Sequence, residues 1–172
     1  MLPLYVSVIG GSSCSPAEYE QAREVGRLIA KEGAILVCGG LGGIMEAAAR
    51  GAKEAGGTTL GILPGHDRTA ANPYLDYVVT TGLGHARNLA VVSTGDVVIA
   101  VSGAYGTLSE IGLAGVLGKP VIILGGWHLQ NDSLGDALAS DVRYATSPRE
   151  AVDLLQEILA RRVASSTPTA AP

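Results

Sequence analysis

The stretch Asp96-Val97-Val98-Ile99-Ala100-Val101-Ser102-Gly103-Ala104-Tyr105-Gly106-Thr107-Leu108-Ser109-Glu110 carries an apolar run into a glycine-bearing turn and out into a helical pattern. Strand, turn and helix in that order make a phosphate-binding layout. Glycines let the backbone approach a ligand closely, and the first free N–H groups of the following helix face an anion. Glu110 then has two readings. Thr107-Leu108-Ser109-Glu110 fits a capping box, with Thr107 as N-cap and Glu110 reaching back to its backbone N–H. In the other reading Glu110, one turn into the helix, is an acid facing whatever the turn holds.

The same alternation extends outward in both directions. Apolar runs at about Tyr5–Ile9, Ala34–Val37, Thr58–Leu63, Tyr77–Val79, Asp96–Val101, Pro120–Leu124 and Val142–Ala145 read as strands. Helical stretches are expected at about Pro16–Glu32, Ile44–Ala55, His85–Thr94, Thr107–Leu117 and Pro148–Arg162, with a further one near Ser133–Ala139. Strands alternating with helices predict an α/β protein: a doubly wound parallel sheet of about seven strands with helices on both faces. Boundary residues agree. Ser15-Pro16-Ala17-Glu18 combines an N-cap, a proline at the first helical position and a glutamate at the third, and Gly33, Gly56 and Gly118 sit where helices should stop.

The 172 residues predict a single domain over residues 1–162, with 163–172 as a disordered tail of no periodic pattern. A hydrophobic fraction of 47% and a mean hydropathy of +0.31 are high for a soluble monomer, so some apolar surface is expected between subunits. A net charge of −4, without a basic stripe, argues against a nucleic-acid partner. The apolar N-terminus lacks a basic region and enters a glycine turn, so it reads as a strand and not a signal peptide. No run approaches the roughly 20 residues that span a bilayer, and no membrane partner is expected. Cys14 and Cys38 are too few for a disulfide scaffold, which makes reduced thiols in a cytoplasmic protein the default. Three histidines without paired spacing give no metal site.

Glycine clusters gather at one end of the expected sheet. Gly10-Gly11-Ser12-Ser13 follows the first strand, Gly39-Gly40-Leu41-Gly42-Gly43 the second and Ser102-Gly103-Ala104-Tyr105-Gly106 the fifth. Ligands of doubly wound sheets bind beyond the carboxyl ends of the strands. The expected binding residues are therefore Gly10, Gly11, Ser12, Ser13, Gly39, Gly40, Gly42, Gly43, Ser102, Gly103, Tyr105, Gly106 and Thr107. The first turn is not the Gly-x-Gly-x-x-Gly of dinucleotide sites, and no Gly-Lys-Ser/Thr phosphate loop occurs. Arg87, just after Gly82 and Gly84 and opening an otherwise apolar helix, offers planar donors to phosphate, ribose or a leaving base.

Gly39-Gly40-Leu41-Gly42-Gly43-Ile44-Met45-Glu46, then Gly61-Ile62-Leu63-Pro64, the arginine helix, and Gly103-x-x-Gly106-Thr107-x-x-Glu110 together resemble the LOG (LONELY GUY) superfamily, once misnamed lysine decarboxylases. The likeness runs from about Tyr5 to Trp127. It implies a Rossmann-like fold and a homo-oligomer, dimer or tetramer. Hydrolases of this family cleave the N-glycosidic bond of nucleoside 5′-monophosphates. On that pattern Glu110 and Arg87 are the catalytic residues, and Gly103, Gly106 and Thr107 form the phosphate-binding turn. Three departures stand out: Ser102-Gly103-Ala104 replaces Pro-Gly-Gly, Asn88 replaces a lysine, and Glu46 follows Met45 where hydrolases carry glycine. They bring the chain closer to the branch that includes the molybdenum cofactor carrier proteins.

Two functions are therefore expected to compete. In a 5′-monophosphate phosphoribohydrolase, Glu110 would stabilise an oxocarbenium-like transition state while Arg87 holds the nucleotide. A non-catalytic carrier would instead hold a phosphorylated pterin. Either way the partner is a small phosphorylated ligand, bound molybdenum cofactor or a nucleotide, and no further cofactor is required. Lysine decarboxylation is disfavoured, because Lys31, Lys53 and Lys119 are the only lysines and none sits in a crevice turn. The 107–117 helix, apolar almost all round, is expected to be buried on all sides against its mate in a homo-oligomer.

Overall fold

Apolar runs without alternation belong to strands covered on both faces. Val97–Val101, with all five residues buried, is such a run, and Val121–Leu124 is another. In the computed structural model, residues 3–129 and 142–166 are described, the last four by backbone alone. The strands β1 (Tyr5–Gly10), β2 (Ile35–Cys38), β3 (Thr59–Leu63), β4 (Tyr77–Thr80), β5 (Val97–Val101), β6 (Val121–Leu124) and β7 (Val142–Ala145) form one sheet. Its order is β4-β3-β2-β1-β5-β6-β7, and every neighbouring pair is parallel. This is the α/β, Rossmann-like architecture that the alternation predicts.

The helices are α1 (Pro16–Lys31), α2 (Ile44–Glu54), α3 (Asn88–Thr94), α4 (Tyr105–Val116) and α5 (Pro148–Ser166). Residues of α1, α2 and α5 build the core on one face of the sheet, and those of α3 and α4 the core on the other. The first layer is interlocked. A Cβ at Gly26 of α1 would stand 1.9 Å from the Ala48 carbonyl oxygen, and one at Gly51 of α2 would stand 1.8 Å from that of Arg23. Only glycine lets these backbones meet so closely. The second layer is shorter and looser at its edges. On α4, Val116 is 83% exposed and Tyr105 80%.

Three boundaries differ from the sequence reading by more than one residue. The single helix expected at His85–Thr94 is a 3₁₀ turn, Gly84–Arg87, leading into α3. α4 starts at Tyr105, two residues before the expected start, because Ala104 takes the N-cap position in extended geometry. α5 continues to Ser166, past the expected end at Arg162. The helix expected near Ser133–Ala139 and the end of the expected tail lie outside the described residues.

Candidate ligand site at the ends of β1 and β5

β1 and β5 lie side by side, with Gly10 in register with Val101. β1 is followed by a crossover to β2 on one side, and β5 by a crossover to β6 on the other. That reversal is where an open α/β sheet forms its crevice. Two cavities open there. The first, about 250 Å³, lies among Gly10, Gly39, Met45, Arg87, Thr107 and Glu110. The second, about 280 Å³, lies among Ser13, Glu18, Ser102 and Gly103. Gly11, Ser12 and Ala104 line both, so the two adjoin.

Arg87 ends the 3₁₀ turn and points inward. It is 7% exposed, and its Nε finds no hydrogen-bond partner. A buried arginine donor without an acceptor is costly unless a ligand supplies one. The guanidinium lies against the end of β2, where a Cβ at Gly39 would stand 2.2 Å from Nη1 and 2.6 Å from the Met45 sulfur. Gly39 is thus small because the arginine crosses it. Burial lowers the Arg87 pKa, opposed by the charge of Glu110 and the Cys38 thiol, yet a guanidinium keeps its proton in a protein.

Glu110 is 7% exposed and lines the same cavity. Burial pushes its carboxyl up to about 7, and the nearby Arg87 charge only partly offsets this. The two side chains feel each other electrostatically without a hydrogen bond between them. The capping box read from Thr107 to Glu110 does not form. With the helix starting at Tyr105, Thr107 lies inside the first turn, and no side chain caps the N-terminus. The first N–H groups of α4 remain open toward the cavity that Gly106 and Thr107 line.

The turn after β5 is shaped by Ser102 and Gly103. Ser102 has φ +50°, the one non-glycine residue with positive φ among the described residues, and Gly103 has φ +107°. Proline is locked near −65°. The hallmark proline therefore cannot occupy position 102 on this backbone. The Ser102 hydroxyl donates to Glu18 Oε1, while Glu18 Oε2 accepts from the Ser15 N–H at 2.7 Å and the Ser15 hydroxyl at 2.9 Å. Trp127 braces the turn from outside, donating from Nε1 to the Ala104 carbonyl at 3.3 Å and lying 5.9 Å from the Tyr105 ring.

Of the expected binding residues, Gly10, Gly11, Ser12, Gly39, Gly106 and Thr107 meet Arg87 and Glu110 in the first cavity, and Ser13, Ser102 and Gly103 line the second. Gly40, Gly42, Gly43 and Tyr105 line neither. Gly40 and Gly43 have positive φ, and a Cβ at Gly43 would stand 2.4 Å from the Gly11 carbonyl oxygen. That oxygen accepts from the Ile44 N–H at 3.0 Å, so Gly43 shapes the wall from behind. Tyr105 points outward. Lining residues that sequence reasoning missed include Leu41, Met45, His85, Asn88 and Ala104 in the first cavity and Glu18 in the second. Glu18 was read only as a helix cap, which it also is, since the Ser15–Glu18 capping box is complete. Its reach to Ser102 depends on two turns 84 residues apart meeting at the switch point.

Cys14 and Cys38 are both free. Burial pushes the Cys38 thiol up to about 11, and burial with the nearby Glu18 and Glu46 raises that of Cys14, so neither is a reactive thiolate. Among the described residues no His/Cys/Asp/Glu group could hold a metal ion, and no helix is long and apolar enough to cross a membrane.

Fold and crevice together define a Rossmann-like protein with a candidate ligand site at its switch point. Residues 3–152 match the SLOG cluster4 family, and the chain belongs to that family. It is similar to the molybdenum cofactor binding protein of the phototrophic bacterium Rippkaea orientalis, with 38% identity and a TM-score of 0.86 over 92% of this chain and 99% of that one. The molybdenum cofactor carrier protein of Chlamydomonas reinhardtii is 33% identical, with a TM-score of 0.83 over 91% and 99% of the two chains. An uncharacterized protein of Archaeoglobus fulgidus is 45% identical over 121 residues, 70% of this chain and 80% of that protein.

Proposed function

We propose that this protein holds the molybdenum cofactor, a phosphorylated pterin, as cargo and does not cleave it. The observation that carries this reading is Arg87, buried with an unpaired Nε beside the uncapped start of α4. Both supply donors to a phosphate without having to reorganise. The two adjoining cavities suit a ligand longer than a phosphate, since small-molecule sites run to roughly 300–1,000 Å³. The similarity to two proteins named for this cofactor supports the same reading. When bound, the cargo would bring the molybdenum chemistry, and this chain supplies charge, donors and shelter.

The test is to purify the protein from a host that makes the cofactor and to quantify the released pterin by oxidation and fluorescence. Stoichiometric pterin in the wild type and its loss in Arg87→Met are expected. A wild type without pterin overturns the proposal.

N-glycosidic hydrolysis is the second reading, favoured by one observation: a carboxyl near 7 is suited to proton transfer. Free base released from nucleoside monophosphates would establish it. Intact substrates together with retained pterin leave the carrier.

A second copy of the chain is proposed to cover the outer face of α4. Tyr105, Ser109, Gly112 and Val116 share that exposed face, and a self-complementary patch suits a two-fold contact. Light scattering should give at least twice the chain mass. Free thiols and the absence of a spanning helix among the described residues fit a cytoplasmic setting.

A further inference from the structure

The two cavities differ in charge. The Arg87 side holds a guanidinium and a carboxyl close to half-protonated at neutral pH, together with the open N–H groups of α4. The far side holds the Glu18 carboxylate and the hydroxyls of Ser12, Ser13 and Ser102. Hydrogen bonds from Ser102 and Ser15 hold Glu18 below the usual carboxylate range, so it is ionised. Cys14, next along the chain from Ser13, feels the charges of both Glu18 and Glu46, so negative potential on this side comes from two helices. A phosphate placed there would meet a fixed like charge.

We infer that Glu18 is a specificity-determining residue whose carboxylate reads the donor edge of the ligand's heterocycle, an exocyclic amine beside a ring N–H, while the phosphate lies toward Arg87. The inference rests on the proposed binding of a phosphorylated heterocycle in this crevice. Its chemistry is that of acceptor and donor inventories. An ionised carboxylate offers about four lone-pair sites. Ser15 N–H, Ser15 hydroxyl and Ser102 hydroxyl occupy three. Both sites on Oε2 are taken by Ser15; one on Oε1 is open and the Ser102 hydroxyl can rotate away to free the other, so that Oε1 accepts from two adjacent donors at once. A 2-amino-4-oxopyrimidine edge, shared by pterins and guanine, presents that pair. Adenine presents an amine beside an acceptor, and the mismatch leaves a lone pair facing the carboxylate.

The probes are guanosine 5′-monophosphate, adenosine 5′-monophosphate and ribose 5-phosphate, titrated by calorimetry into the full chain. Two hydrogen bonds to a charged group predict that the wild type binds the guanine nucleotide about 10- to 100-fold more tightly than the adenine one. Glu18→Gln keeps the capping box, since glutamine serves at that position, and a matching melting curve confirms the fold. In this variant the guanine preference should fall to within about threefold, with ribose 5-phosphate bound at least as well as before.

The outcomes separate the inference from the reading beneath it. Ribose 5-phosphate binding without any guanine preference in the wild type overturns the role of Glu18 and leaves the phosphate site standing. A preference that survives Glu18→Gln also overturns it. Failure of the wild type to bind all three probes removes both.

Discussion

α1 and α4 both begin beyond the two strands that flank the switch point, and they begin in opposite ways. α1 is closed by its own side chains: Ser15 caps the Glu18 N–H, Glu18 answers to the Ser15 N–H, and Pro16 takes the first helical position. α4 has alanine at its N-cap and no side-chain cap at all. A capped terminus adds stability and has little left to offer a ligand, whereas an open one forgoes about 1 kcal/mol and keeps its donors free. On the proposed function, neighbouring turns of one sheet thus divide support from binding. The division is not total, because the closing glutamate of α1 reaches across to Ser102 of the open turn.

The largest expected effect comes from the arginine that completes the open end. Arg87→Met should weaken binding of the phosphorylated ligand by about 100-fold or more, the scale of a lost charge-assisted pair, with the fold intact by circular dichroism. Unchanged affinity would show that α4 binds without it.

Glu110 tests the same end through pH. Its carboxyl ionises near 7 in the folded protein against 4.5 for an ordinary glutamate. The folded state therefore holds a proton that the unfolded state gives up between these values, and stability falls as pH rises through that window. A shift of this size costs up to about 3 kcal/mol above pH 7. Denaturant melts of Glu110→Gln should show that loss removed, so that the variant gains on the wild type from pH 4.5 to pH 8. Ligand affinity in the wild type should fall over pH 6–8 as the acid becomes an anion, and the fall should flatten in the variant. A pH-independent stability difference would exclude the buried acid as its source.

Making the two helix starts alike is the next test. Ala104 already has the extended backbone of an N-cap, so Ala104→Asp should close α4, raising stability by about 1 kcal/mol and weakening phosphate binding by about tenfold. The smallest effect belongs to the closed end. Ser15→Ala should cost about 1 kcal/mol in a thermal melt and change ribose 5-phosphate affinity less than about twofold.

The strands and the glycine-rich ends were legible in the sequence because each depends on local composition. Val97–Val101 cannot avoid being a buried strand, and glycines after β1, β2 and β5 sit where backbone must turn closely. The start of α4 was not legible. Thr107 and Glu110 have capping spacing, but Trp127 and Leu124 fix the preceding turn from a distant segment, through the Ala104 carbonyl and the Ser102 N–H. The burial of Arg87 was equally hidden, since it requires the 3₁₀ turn before α3 and a bare Cα at Gly39, just beyond the end of β2. Glu18 was misread by half, because its second oxygen is used only after the sheet has formed.

The contact between Arg87 and Gly39 also limits the order in which this protein could change over generations. Any side chain appearing first at position 39 would drive the guanidinium out of its seat, so a lineage must give up the arginine before it can fill that space. Sequences that retain arginine at 87 should be invariant for glycine at 39, while those that lost it and also moved or replaced the methionine at 45 should be free to vary there, and an alignment of relatives can read this history directly.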